Sequence, residues 1–138
     1  MNLAVRYYSR GGNTKKVADA IAEVLNVEAL DITNPVEADV LFLGASMYAF
    51  TVDKSIKKYV GELTADKAKM IVVFSTSASD TSTHKKIAKC LKDKNIKVCE
   101  KYLSIPGSFL KMNKGRPNEE DLKHAKEFAK EVIESLNK

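Results

Sequence analysis

The chain predicts a three-layer, doubly wound α/β domain, with five parallel strands in the order 2-1-3-4-5 and helices on both faces. Three observations carry this. Apolar runs of strand length alternate with segments of helical periodicity along the 138 residues, the pattern of βα units whose crossovers are right-handed. Two runs, Val40-Leu41-Phe42-Leu43-Gly44 and Met70 to Phe74, are continuous rather than alternating, as strands covered on both faces are. A third run, Leu3 to Tyr8, breaks into glycines and polar residues that open a helix. The length suits one domain, 1–138, with a core of its own.

Leu3 to Tyr8 reads as a mostly buried first strand. From Thr14, Val17, Ala18, Ile21, Ala22, Val24 and Leu25 fall on one helical face. Val27 to Ile32 is a shorter strand for a sheet edge, and Asn34-Pro35 marks a turn. After the third strand, Ala45 to Thr51 reads as a loop. A helix follows with Val52, Ile56, Tyr59, Val60 and Leu63 on one side. The fourth strand opens into Ser75 to Thr83, which reads as a hydroxyl-rich loop too polar for a core. A lysine-rich helix is anchored by Ile87, Ala88 and Leu91, and Lys97 to Leu103 supplies the fifth strand. Ile105 to Pro117 reads as irregular. Asn118 is a good N-cap for the last helix, whose first turn carries Glu119, Glu120 and Asp121. Leu122, Ala125, Phe128, Ala129, Val132, Ile133 and Leu136 form its apolar stripe.

In the order 2-1-3-4-5, ligands bind beyond the carboxyl ends of the strands, at the switch point between strands one and three. The loops after strands one, three and four then line one crevice. No apolar run approaches a membrane span and no signal-peptide pattern opens the chain, so a cytoplasmic protein without a membrane span is expected. Cys90 and Cys99 lack metal or redox spacing and read as buried free thiols.

The net charge of +5 is uneven: His84 to Arg116 holds ten Lys or Arg against Asp93 and Glu100. A solvated face, or steering of an acidic partner or anionic substrate, explains that balance. Nucleic acid is not expected, because no aromatic interleaving or recognised motif accompanies the lysines. His84 and His124 lie on lysine-bearing helices and are expected in solvent, with no Ser-His-Asp or Cys-His arrangement.

The stretch Ser9-Arg10-Gly11-Gly12-Asn13-Thr14 is suited to an anion. Glycines let the backbone approach a ligand, and the first N–H groups of the following helix lack partners within it. A phosphate satisfies both, held by backbone N–H groups, the hydroxyls of Ser9 and Thr14 and the Asn13 amide. Arg10 either adds charge or points to water. A triphosphate loop needs Gly-Lys-Ser/Thr, whereas Gly12 is followed by Asn13-Thr14. A dinucleotide fingerprint needs three spaced glycines. A terminal monophosphate suits the loop better. No residue is assigned a catalytic or metal-binding role.

Tyr8 to Thr14 resembles the phosphate loop of the flavodoxin family, Thr/Ser-x-Thr/Ser-Gly-Asn-Thr at the start of a helix, and the likeness covers nearly the whole chain. It implies a flavodoxin-like fold and flavin mononucleotide (FMN) as cofactor. The phosphate then lies on Ser9, Arg10, Gly11, Gly12, Asn13 and Thr14. The ring lies between Ser46-Met47-Tyr48-Ala49-Phe50 and a second loop with Ser75, Thr76, Ser77 and Asp80. Tyr48 is the first choice to stack on the ring and Phe50 the second; the second loop has no aromatic, which leaves Phe109 as a further cover. Gly11 stands where the family has a hydroxyl. The resemblance implies electron transfer with a redox partner protein; the chain's charge suits an acidic one, and a monomer or weak dimer is expected. The alternatives are an FMN-dependent oxidoreductase acting on a quinone or similar small acceptor, and a non-redox anion-binding module on the same fold.

Overall fold

The computed structural model describes residues 1–9, 11–48, 51–77, 83–106 and 115–137; for residues 47, 48, 51, 52 and 77 it describes the backbone alone. The elements are β1 (Leu3–Tyr7), α1 (Asn13–Leu25), β2 (Ala29–Asp31), β3 (Ala38–Tyr48), β4 (Thr51–Val52), α2 (Lys54–Glu62), β5 (Ala68–Ser77), α3 (Thr83–Leu91), β6 (Lys97–Val98), β7 (Leu103–Pro106) and α4 (Glu119–Leu136). The sheet runs β2-β1-β3-β5-β6, all parallel, with β7 also parallel to β5 and β4 antiparallel to β3. Counting β6 and β7 as one interrupted edge strand, this is the doubly wound order that the sequence predicts.

Each central strand alternates its side chains between two cores. Val5, Val40, Phe42, Val72 and Phe74 face α1 and α4. Leu41, Leu43, Ile71 and Val73 face α2 and α3, against Ile56, Val60, Ile87 and Leu91. All but Val40 are at most 2% exposed; each such side chain contributes about 1.5–3 kcal/mol through burial. Both cores are apolar, which explains the continuous runs at 40–44 and 70–74. Helix α1 ends on Asn26, left-handed at φ 58, whose N–H donates to the Ala22 and Glu23 carbonyls.

Several boundaries differ from the sequence reading. The segment Ala45 to Thr51 is not simply a loop: β3 continues to Tyr48 and turns back through β4. Likewise β5 continues to Ser77, in register with Met47, and Ser75 and Thr76 are buried at 3% and 2% exposed. A run of hydroxyl residues resembles a solvent-facing loop when its partners are out of view. Side by side, the two strands satisfy each other's backbone and the hydroxyls find partners within the fold. Val52 belongs to β4, and α2 starts after Asp53, whose carboxylate accepts the Ser55 N–H at 2.8 Å. The fifth strand is broken at 99–102, and Ile105 and Pro106 lie in β7. No helix fills the β2–β3 crossover. Cys99 is buried, as expected, but Cys90 is exposed.

Arg6 bears on that helix-free crossover. It projects from β1 between Val5 and Tyr7, is only 9% exposed, and donates to the carbonyl oxygens of Val5 at 3.0 Å and Pro35 at 2.7 Å. The guanidinium thus ties residues 32–37 to the sheet. Its Nε and the nearby Tyr59 hydroxyl have no hydrogen-bond partner among the described residues. Burial pushes the Tyr59 phenol pKa up, against the opposing pull of Arg6.

Candidate functional site

The site is set by strand ends that stop at different heights. Tyr7, the last residue of β1, is in register with Gly44, and Gly44 with Phe74. β3 and β5 run on past that level, in register through Ser46–Thr76 and Met47–Ser77. The chain leaving β1 turns over this step into α1, and Thr14, in the first turn of α1, drops its side chain onto the extended strands.

Thr14 has no exposed surface. Its Oγ1 shares hydrogen bonds of 2.6 Å with Ser46 Oγ and 2.6 Å with Thr76 Oγ1, and those two hydroxyls are 3.1 Å apart. Three hydroxyls can satisfy one another in a ring, each donating once and accepting once. Its methyl sits over Gly44: a Cβ there would be 2.9 Å from Thr14 Cγ2 and 2.5 Å from Phe74 Cζ. Gly44 is thus what lets α1, β3 and β5 approach this closely.

Gly12 is the N-cap of α1 at φ 90, a conformation that favours glycine, and its carbonyl accepts the first helical bond from the Lys16 N–H at 3.1 Å. Among the described residues no side chain caps α1, and no acid occupies its first turn. By contrast, α2 is capped by Asp53 and α4 by the reciprocal Asn118–Asp121 capping box. Ser9 Oγ accepts the Gly12 N–H at 2.9 Å, which folds the loop back and leaves the Ser9 hydroxyl proton to donate. A Cβ on Gly11 or Gly12 would meet nothing within 4 Å. The result is an uncapped positive helix end beneath open space, bordered by a serine hydroxyl: a fit for a phosphate.

The structure therefore brings Ser9, Gly11, Gly12, Asn13, Thr14, Ser46, Ser75 and Thr76 to one end of the sheet. Ser75 Oγ points to the Leu103 carbonyl at 3.5 Å. The backbones of Met47, Tyr48 and Ser77 lie at that end too. Arg10, Ala49, Phe50, Asp80 and Phe109 lie outside the described residues. Among the described residues no group of three or more His, Cys, Asp or Glu could hold a metal, and no helix is long and apolar enough to cross a membrane.

His84 is not simply in solvent, as the sequence suggested. Its ring stacks on Tyr102, with centroids 4.6 Å apart and planes at 15°, and its Nε2–H donates to the Cys99 carbonyl at 2.9 Å. Neither this pair nor the role of Gly44 was legible in the sequence. Both depend on neighbours brought in from other strands.

An open, doubly wound α/β sheet with a candidate anion site at its switch point is the architecture of a class of nucleotide-binding domains. The chain belongs to the flavodoxin family: the flavodoxin domain matches residues 4–108. A protein of Methanocaldococcus jannaschii described as uncharacterized is 31% identical over 138 residues, covering 89% of this chain and 91% of that one. A flavodoxin from the domain Archaea superposes over 100% of both chains with a TM-score of 0.81 at 21% identity. Oxidised Flavodoxin 2 from Bacillus cereus covers 98% of this chain and 99% of its own, with a TM-score of 0.72 at 18% identity. The rubredoxin oxygen:oxidoreductase of Desulfovibrio gigas matches 98% of this chain with 36% of its own length, TM-score 0.73 at 14% identity.

Proposed function

We propose that this chain binds FMN and carries electrons between partner proteins, at least one of them acidic. The observation that carries this reading is the uncapped α1 N-terminus, with Gly12 at φ 90 and open space above Gly11 and Gly12, at the β1/β3 switch point. The FMN phosphate would take the first-turn N–H groups of α1 and the Ser9 hydroxyl, with Asn13 and Arg10 assisting. The Thr14 side chain would act from beneath, fixing the first turn on Ser46 and Thr76 so that those N–H groups are aimed before the ligand arrives. Residues 46–50 and 75–80 would flank the ring, with Tyr48 as the stacking candidate.

When bound, the flavin supplies the redox chemistry. The chain's part is to bind it, orient it and set the charge around it. The excess of lysine between His84 and Arg116 favours a negatively charged reduced cofactor over a neutral one by Coulomb attraction.

Titration of the purified chain with FMN, read by absorbance and flavin fluorescence, tests the cofactor. A stoichiometric complex with a perturbed spectrum is the outcome expected. Stepwise reduction of that complex then tests the carrier role, which requires a species stable at half reduction. Direct passage to the fully reduced spectrum would remove the basis for one-electron shuttling, and failure to bind FMN would leave only a non-redox module.

A further inference from the structure

We propose that the face of α3 and the β6–β7 edge, centred on the stacked His84–Tyr102 pair, is a docking surface for a protein with an acidic patch. This deepens the electron-carrier reading by naming where a partner lands.

Tyr102 is 52% exposed, and Met1 is the other large apolar side chain exposed among the described residues. Such a ring is usually mobile, but this one is held. It lies flat on His84, and His84 is fixed by its bond to the Cys99 carbonyl in the break between β6 and β7. A pre-positioned aromatic loses little freedom on binding, which is why interface hot spots so often use tyrosine.

The segments that carry the ring pair are rich in lysine. Residues 83–106 contain seven lysines and two acids. Lys94 is engaged, its Nζ donating to the Gly61 and Leu63 carbonyls at the end of α2. Lys85, Lys89, Lys92, Lys97 and Lys101 are exposed, and none forms an ion pair with a described carboxylate. Lys85 adjoins His84 and Lys101 adjoins Tyr102. An aromatic anchor flanked by exposed lysines, on segments rich in further exposed lysines, matches an acidic protein surface with an apolar centre.

Other occupants fit less well. A second copy would set lysines against lysines. Nucleic acid favours arginine and successive stacking rings, whereas residues 83–106 hold no arginine and present one exposed ring. The face also adjoins the candidate flavin end: β7 pairs with β5 through Ile105–Thr76 and Pro106–Ser77, and Thr76 belongs to the hydroxyl cluster.

The test measures association of the chain, with and without FMN, with a small acidic iron–sulfur protein. Basic cytochrome c, a single-stranded DNA 20-mer and anionic vesicles serve as comparisons. Wild type should bind the acidic protein with an association rate that falls steeply with salt. Lys85→Glu with Lys101→Glu should lower that rate at low salt about tenfold or more. Tyr102→Ala should weaken affinity about tenfold, with Tyr102→Phe largely retaining it. All variants should keep the wild-type circular dichroism and FMN affinity. Binding absent in wild type, insensitive to salt or unchanged in the variants overturns the proposal. So does DNA or vesicle binding tighter than that of the acidic protein and lost in the same variants. Because FMN affinity is read separately, a chain that docks without holding flavin refutes the carrier reading and leaves the docking surface standing.

Discussion

Thr14 and Thr76 lie 62 residues apart and share a 2.6 Å hydrogen bond inside the protein. With Ser46 they fasten the first turn of α1 to the ends of β3 and β5, so one residue of the anion loop is also a core contact of the sheet. The position of the helix amides is therefore set by two strands that a ligand on the loop need not touch.

Removing a hydroxyl from this ring tests that coupling. Thr76→Val keeps the shape but leaves Thr14 and Ser46 one partner short in a buried site, which should cost about 1–3 kcal/mol. Urea unfolding of the ligand-free chain reads that loss. A double-mutant cycle with Thr14→Val should show a coupling of about 0.5–3 kcal/mol, because the two side chains share a bond. FMN affinity should fall in Thr76→Val as well, because Thr76 holds the first turn of α1 and lies in the stretch proposed to flank the ring.

Gly44→Ala adds a methyl group where Phe74 and Thr14 already meet, so the strands or the helix must shift. Overpacking of this kind costs about 1–3 kcal/mol, and the melting temperature should fall accordingly. Gly61→Ala is the control, since a Cβ there meets nothing within 4 Å and the residue lies in a helix. That change should be neutral or stabilising.

The sheet order, the two apolar cores and the strand-to-helix turn at Gly11-Gly12 were legible because each rests on local pattern. Leu41 and Phe42 announce a strand covered on both faces, and Gly11-Gly12 before a periodic segment announces a strand-to-helix turn. Ser46, Ser75 and Thr76 resemble loop residues in the sequence, because hydroxyls next to glycine or serine signal turns there. Only pairing across strands shows that they continue the sheet. The helix-free β2–β3 crossover left just Asn34-Pro35 as its trace, and nothing local marks Arg6 as the residue that holds it. The end proposed to hold the flavin is the least legible part. Its hydroxyls are core and cradle at once, and a sequence does not say which way each one faces.

Arg6 carries a buried charge without a carboxylate partner among the described residues. Such a group is costly, and an apolar replacement of similar length often matches or improves stability. Arg6→Met should be neutral or stabilising by about 1–4 kcal/mol in denaturant unfolding. Arg6→Ala should destabilise instead, because it also removes the stem that packs beneath the crossover. Equal destabilisation by both would mean that the bond to the Pro35 carbonyl outweighs the cost of desolvation.

At the start of α4, Asp121 accepts two bonds from the Arg116 guanidinium, at 2.7 and 2.5 Å, and one from the Asn118 N–H at 2.9 Å. The Arg116 bonds foremost, then the Asn118 N–H, hold its pKa below the usual aspartate range against the opposing effect of burial. A carboxyl lowered in the folded state stabilises fully above its unfolded pKa, near 3.9. That contribution is lost as pH falls through the lower folded value. Melting temperatures between about pH 6 and 2 should thus decline less steeply at the acid end in Asp121→Asn than in wild type. At neutral pH the same variant should be the less stable of the two.

Gly11 offers the most direct test of the anion loop. Unlike Gly12, it does not have a positive φ, and a Cβ added there meets open space. A side chain is therefore tolerated, and the family's pattern has a hydroxyl at this position. Gly11→Ser should leave unfolding of the ligand-free chain nearly unchanged. It should tighten FMN by about fivefold to tenfold, the equivalent of one added hydrogen bond of roughly 1–1.4 kcal/mol. Riboflavin, which lacks the phosphate, should bind both forms equally. Gly12→Ser forces a side chain to φ 90 and should cost about 1 kcal/mol of stability without a gain in affinity. Tighter riboflavin binding in Gly11→Ser would place the new hydroxyl near the ring and argue against the phosphate assignment.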